Sequence, residues 1–189
     1  MAIYNTASDA ANTAVRAFLT KVGEFYLGRT FNTGTGRGKS DWERIRDTVF
    51  GGKCAYCGES GRPLQMEHLF MFNRNEYGLH HPGNIVPCCR QCNKRQRRDD
   101  NSFANWKEHL KAVCERQGNS GKFSSRKDKI EKSMSDEGYP NLDRNEQNAV
   151  RVIAGYLYEN IKNETSKSLE LYKQLDEAFV DKMKIFNQN

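Results

Sequence analysis

A chain of 189 residues, 37% hydrophobic and 29% charged, is long enough to bury a core, and its ten Phe, eight Tyr and two Trp argue against global disorder. Thirty Lys and Arg against 24 Asp and Glu give a net charge of +6, which favours a polyanionic partner without naming one. No apolar run approaches the roughly 20 residues of a membrane span, and Met1-Ala2-Ile3-Tyr4-Asn5 lacks the basic head and apolar stretch of a secretory leader, so the sequence reads as a cytoplasmic protein without a membrane partner.

Residues 9–27 predict an amphipathic helix, because Ala11, Val15, Phe18, Val22 and Phe25 recur at steps of four and three and Gly28 can end it. The segment 32–40 (NTGTGRGKS) is a loop. Its GKS resembles the close of a phosphate-binding loop, but Thr33 stands where that motif needs its first glycine and no apolar strand precedes it, which excludes a nucleotide cofactor. Ser40 and Glu43 form a capping box for a helix over 40–50, with Trp42, Ile45 and Val49 as its buried stripe and Gly51-Gly52 as its stop.

The block 53–98 differs from its surroundings. Alternating apolar residues predict a short strand over 64–69, a turn-rich connection (FMFNRNEYGLHHPGN) follows, and Ile85-Val86 form a second strand that Pro87 breaks. From Cys89 onward the pattern predicts a helix carrying Asn93, Lys94, Arg95, Arg97 and Arg98, with residues 94 and 98 one turn apart on one face. Ser102 caps a further helix through Gln117, with Phe103, Trp106, Leu110 and Val113 facing the core, Cys114 a buried thiol and His109 on the surface. Residues 118–144 read as a loop or a frayed helix, basic through Lys122, Arg126, Lys127 and Lys129, and two helices over 145–162 and 166–186 form a terminal hairpin. Their stripes are Val150, Ile153, Ala154, Leu157 and Ile161, then Leu169, Tyr172, Leu175, Phe179 and Met183. Three regions result: a helical region over 1–52, a central unit over 53–117, and a basic loop with helical hairpin over 118–189.

Five of the six cysteines fall between 54 and 92, in two Cys-x-x-Cys pairs. In a chain without a secretory leader this spacing reads as metal ligation before disulfides. Cys54 with Cys57, and Cys89 with Cys92, supply two thiolates from each of two tight turns. Four thiolates close a tetrahedron around Zn²⁺ with no position left for water, so the metal is structural. Cys88 leaves a second register open, Cys88 with Cys92; in the preferred one it is a small buried hydrophobe.

Glu67-His68, Gly83-Asn84-Ile85-Val86-Pro87 and Cys89-Arg90-Gln91-Cys92-Asn93-Lys94 resemble the HNH nucleases, in particular zinc-bound members among bacterial restriction, defence and phage enzymes. The likeness spans about residues 50–110. It implies an α+β fold: a mainly helical chain around a central ββα-metal motif with a four-cysteine zinc site. It also implies a DNA endonuclease giving 5′-phosphate and 3′-hydroxyl products, in a restriction or phage-defence setting. On this resemblance His68 is the general base, Asn84 orients the long loop and the base, and Glu67 and Asn93 hold a catalytic Mg²⁺ or Mn²⁺.

These residue types suit phosphodiester hydrolysis. A neutral imidazole can take a proton from water near pH 7, and a hard ion held by few protein oxygens keeps positions open for phosphate. Glu67 stands where aspartate is commoner in the family, and adjacent strand residues point to opposite faces, so Glu67 and His68 reach one ion only if the strand ends or twists there. His80 or His81 is the alternative imidazole. The acid-free run with Arg90, Lys94, Arg95, Arg97 and Arg98 would contact DNA phosphates. Cleavage of both strands calls for a homodimer with two sites. The alternatives are a non-catalytic zinc module that binds nucleic acid, and a nuclease of the same kind acting on RNA or in repair.

Overall fold

The structure is a computed structural model that describes the backbone of residues 6–186 and side chains through Phe179; the segment 1–5 read for a leader and the side chain of Met183 lie outside the described residues. Helix α1 (Ala7–Leu27) starts at Thr6, whose hydroxyl accepts from the Asp9 N–H while the Asp9 carboxylate accepts from the Thr6 N–H. Gly28, at φ +71°, closes it. Its buried line is Ala11, Val15, Leu19 and Gly23, while Phe25 is 77% exposed, so the packed face is rotated from the predicted stripe. The reason is the partner: α1 lies along α5 (Arg144–Phe186), and Ala11, Val15 and Leu19 meet Val150, Ala154 and Tyr158 around Leu79.

Helix α5 is one element of 43 residues, not the predicted hairpin. No Gly or Pro stands between Ile161 and Leu169 to break it. Its start is fixed by Asp143, whose carboxylate accepts from the Asn145 and Glu146 N–H groups while Glu146 accepts from the Asp143 N–H. Beyond Ile161, Leu169, Tyr172, Leu175 and Phe179 are exposed instead of facing a second helix.

The second core surrounds a two-stranded antiparallel sheet, β1 (Leu64–His68) and β2 (Ile85–Cys89), in which Glu67 pairs with Val86 and His68 with Ile85. Pro87 sits inside β2 opposite Met66 and does not end it, since each strand of a two-stranded sheet has a free edge where a missing N–H is tolerated. Around the sheet pack Phe31, Ile45, Phe50, Tyr56, Trp106, Leu110, Val113 and Ile130.

Three more elements differ from expectation. Helix α2 (Gly36–Glu43) starts upstream of Ser40, whose hydroxyl turns back to the Gly36 carbonyl, and continues as a π-helical turn over Arg44–Val49. Helix α3 (Trp106–Arg116) is capped by Asn105 with Glu108, not by Ser102, whose hydroxyl accepts from Arg98. The 118–144 segment contains α4 (Phe123–Asp136), whose Ile130 is fully buried. The architecture is therefore α+β, with five α-helices and one two-stranded sheet among the described residues. Among those residues no helix is long and apolar enough to cross a membrane.

Candidate metal centre and histidine cluster

The hairpin β1–β2 brings the two Cys-x-x-Cys turns together. The first turn is closed by the Gly58 N–H to the Cys54 carbonyl (2.8 Å) and tied to β2 by the Ala55 N–H to the Pro87 carbonyl (2.8 Å). The second forms where β2 ends: the N–H groups of Cys92 and Asn93 both donate to the Cys89 carbonyl at 3.0 Å. The buried thiols of Cys54, Cys57, Cys89 and Cys92 then lie within 4.8 Å of one another, with Cys57 and Cys89 Sγ 3.8 Å apart. A tetrahedral zinc with Zn–S of about 2.3 Å has sulfur–sulfur edges of about 3.8 Å. The four cysteines can therefore hold a metal ion, and their spacing is compatible with structural zinc. Cys88 is outside this set; its thiol is directed at the Cys89 carbonyl.

Two side chains from outside the hairpin hold the turns. Arg126 of α4 donates to the Tyr56 carbonyl (2.9 Å) and the Cys57 carbonyl (2.9 Å). The buried His109 of α3 has Nε2 2.7 Å from the Cys92 carbonyl and its ring edge-on to Tyr56. His109 is thus not the surface residue expected, and Arg126 is not a free basic group, because turn carbonyls near the sulfurs need donors that the turns themselves do not supply.

At the other end of β1 lies a histidine cluster. Asn84 clasps the 69–84 connection: its Nδ2 donates to the carbonyls of Phe70 (2.9 Å) and Leu79 (2.8 Å), and its Oδ1 accepts from the Phe70 N–H (2.8 Å). The clasp sets His80 against His68, with His68 Nε2 3.0 Å from His80 Nδ1. Phe72 stacks on His68 at 4.9 Å, and Phe31 backs His80 at 4.8 Å. Helix α1 closes this side at Gly23, where a Cβ would lie 2.3 Å from the His80 carbonyl oxygen. Burial, aided by the charges of His80 and Arg95, pushes the His68 imidazole down to about 3; burial also lowers His80. Burial pushes the neighbouring His81 down to about 4, and its Nδ1 accepts from the Gly83 N–H at 3.1 Å.

Glu67 faces the other side of β1 from His68. It meets Arg95, whose Nε lies 3.0 Å and Nη2 2.9 Å from Glu67 Oε1. The same guanidinium donates to the carbonyls of His68 (2.5 Å) and Leu69 (2.7 Å), with Glu76 Oε2 3.7 Å away. Burial pushes the Glu67 carboxyl up against the opposing pull of Arg95. The Arg95 side chain is 2% exposed and turned inward, unlike the other basic groups of its run. Asn93 Nδ2 donates to Gln65 Oε1 at 3.1 Å, on the Glu67 face of the strand. The donor set here is carboxylate, carboxamide and carbonyl oxygen, which fits a hard cation, and in this structure a guanidinium fills it.

No helix runs from Cys89. Residues 90–105 are irregular, folded back by the Arg98 N–H to the Ser102 carbonyl (2.8 Å) and the Ala104 N–H to the Gln96 carbonyl (2.9 Å). The segment makes one turn at Cys89, turns Arg95 inward to Glu67 and then folds back on itself. Residues 94 and 98 therefore do not share a helix face. Arg90, Lys94, Arg97 and Arg98 are exposed; Arg97 lies over the Phe103 ring and Arg98 pairs with Glu108.

The chain matches no protein-family model, no curated protein and no solved structure.

Sequence reasoning missed Arg126, His109, Glu76 and the inward turn of Arg95. An isolated arginine in a basic segment carries no sequence signal for burial. Glu76 had only its place in the 69–84 connection to mark it.

Proposed function

We propose that this chain is a zinc-anchored phosphodiesterase of the HNH kind that hydrolyses DNA. The observation that carries this reading is the Asn84 clasp, which returns the long loop to the end of β1 and frames His68 with His80 and Phe72 on a hairpin pinned by four cysteines. Zn²⁺ in that site stabilises the hairpin and takes no part in the chemistry.

His68 stays unprotonated at neutral pH and accepts a proton from the attacking water. Its low basicity in the free protein comes first from burial. An approaching phosphate anion raises it, because opposite charge favours the imidazolium. The hydrogen bond to His80 fixes the ring, and Asn84 fixes the loop that carries His80. Glu67 and Asn93 would hold a Mg²⁺ or Mn²⁺ ion, which supplies charge stabilisation for the phosphate and the departing oxygen; they lie across β1 from His68, so one phosphate meets both only by spanning the end of the strand at His68. Arg90, Lys94, Arg97 and Arg98 position the duplex through its phosphates. Cleaving both strands takes two sites, and the exposed Leu169, Tyr172, Leu175 and Phe179 of α5 offer a surface for a second copy.

A second reading, a non-catalytic zinc-stabilised module that binds nucleic acid, is favoured by the Glu67–Arg95 pair, which already neutralises the carboxylate. Supercoiled plasmid separates the two. Under the first reading the wild type nicks with Mg²⁺ or Mn²⁺, EDTA stops it, and His68→Ala loses about 10²-fold or more, the scale of general-base catalysis. If both proteins retard the plasmid and neither nicks it, the binding module is the function.

A further inference from the structure

We propose that Arg95 is a tethered cation occupying the place of the divalent ion, so that guanidinium and ion exclude one another from a single oxygen cradle. The inference rests on the phosphodiesterase reading for the identity of the ion, and on geometry for the exclusion.

Arg95 is buried to 2% exposure on an irregular segment whose other basic side chains, Arg90, Lys94, Arg97 and Arg98, are at the surface. A guanidinium goes inside only where oxygen acceptors meet it. Here the acceptors are Glu67 Oε1 at 2.9 Å, the His68 carbonyl at 2.5 Å and the Leu69 carbonyl at 2.7 Å, with Glu76 Oε2 at 3.7 Å. Two carboxylates and two carbonyls are the oxygen set a hard divalent ion takes, and two negative charges face one positive charge, which leaves the cradle undercompensated.

The fit of the guanidinium is also incomplete. Arg95 Nη1 is buried with no hydrogen-bond partner, since Glu76 stands too far away to accept from it. A side chain held on one edge and unsatisfied on the other is one that a better partner can draw out. Phosphate is such a partner, because its oxygens accept from both arms of the guanidinium at once. A divalent ion cannot enter beside the guanidinium, because both carry positive charge at contact distance. Withdrawal of Arg95 toward a phosphodiester therefore opens the cradle to the ion, and cation uptake follows nucleic-acid contact instead of preceding it.

The test is Mn²⁺ binding to zinc-loaded protein without nucleic acid, read from the electron paramagnetic resonance signal of free Mn²⁺. It compares wild type, Arg95→Leu, Arg95→Gln and the double variant Glu67→Gln with Arg95→Gln. Arg95→Gln keeps donors for the two carbonyls and serves if Arg95→Leu does not fold. We expect the Arg95 single variants to bind Mn²⁺ at least tenfold more tightly than wild type, Mn²⁺ to raise their melting temperature, and the double variant to lose both effects. Equal affinity in wild type and Arg95→Gln, absence of Mn²⁺ binding by every protein, or a gain that survives in the double variant overturns the exclusion. Plasmid nicking by the same proteins keeps the two claims apart. Tighter Mn²⁺ binding without nicking by any of them leaves the exclusion standing and removes the hydrolytic reading; nicking by a wild type whose affinity equals that of Arg95→Gln does the reverse.

Discussion

The β1–β2 hairpin carries a four-cysteine cluster at one end and an oxygen cradle holding a guanidinium at the other, and the two are built in opposite ways. At the cysteine end the ligands are soft, come from two tight backbone turns, and converge within 4.8 Å with no side chain of the protein between them. At the Glu67 end the ligands are hard, come from a strand, a loop and two carbonyls, and a guanidinium of the same chain lies among them. The cysteine end is organised for a metal that enters once, as the chain folds. The Glu67 end is filled by a side chain of the same chain, so folding there does not depend on a metal.

The largest effect that would sharpen this contrast is loss of the sulfur-bound metal. Cys89→Ser, or removal of the metal by a chelator under denaturing conditions, should abolish cooperative refolding, because structural zinc contributes about 10–16 kcal/mol to small domains. Thermal melting and zinc content read it; one zinc per chain is expected in the wild type, and a Cys89→Ser protein that melts like wild type would break the comparison. Arg126→Met removes two donors from the first cysteine turn and leaves buried carbonyls unsatisfied, an expected cost of about 2–4 kcal/mol. Zinc should then pass faster to a chromophoric chelator, whereas Glu67→Gln should leave that rate unchanged.

The smallest effect is a pH dependence. Buried His81 has its imidazole at about 4 in the folded chain against about 6.5 unfolded. A group with a lowered folded value is neutral in the native state and takes a proton on unfolding, so stability falls as pH drops from about 6.5 toward 4. The slope is about 1.4 kcal/mol per pH unit for one such histidine. His68, at about 3, and His80 and His109, also lowered by burial, steepen it. Denaturant midpoints between pH 7 and 5 measure the slope, and His81→Gln should lessen it by that one histidine's share.

The parts legible in the sequence were those with a fixed covalent spacing. Cys54, Cys57, Cys89 and Cys92 converge as their spacing demanded, both strands lie near their apolar patterns, and α1 ends on Gly28. What stayed hidden depended on tertiary partners. The rotated face of α1 is set by α5, a helix more than a hundred residues away. Asn105, not Ser102, caps α3 because Ser102 serves the turn at Arg98. The polar sequence FSSRKDKIEKSMSD reads as loop or frayed helix; Ile130, Phe123 and Met134 pack it on the core and Arg126 bonds it to Tyr56 and Cys57, which makes α4 a formed, docked helix. At the candidate site, Glu67 and His68 were marked by adjacency. Their opposite orientations follow from strand geometry, and the guanidinium that meets Glu67 comes from a residue whose neighbours are all solvent-facing.

Helix α5 is the longest element among the described residues. Its 43 residues extend about 64 Å at 1.5 Å of rise per residue, whereas a globule of this length, with a radius of gyration near 16 Å, is roughly 40 Å across. An isolated chain therefore tumbles as a rod-bearing particle. It elutes ahead of a sphere of 21.7 kDa, and amides along α5 relax differently from those of the cysteine hairpin, because the rod fixes the axis of slowest reorientation.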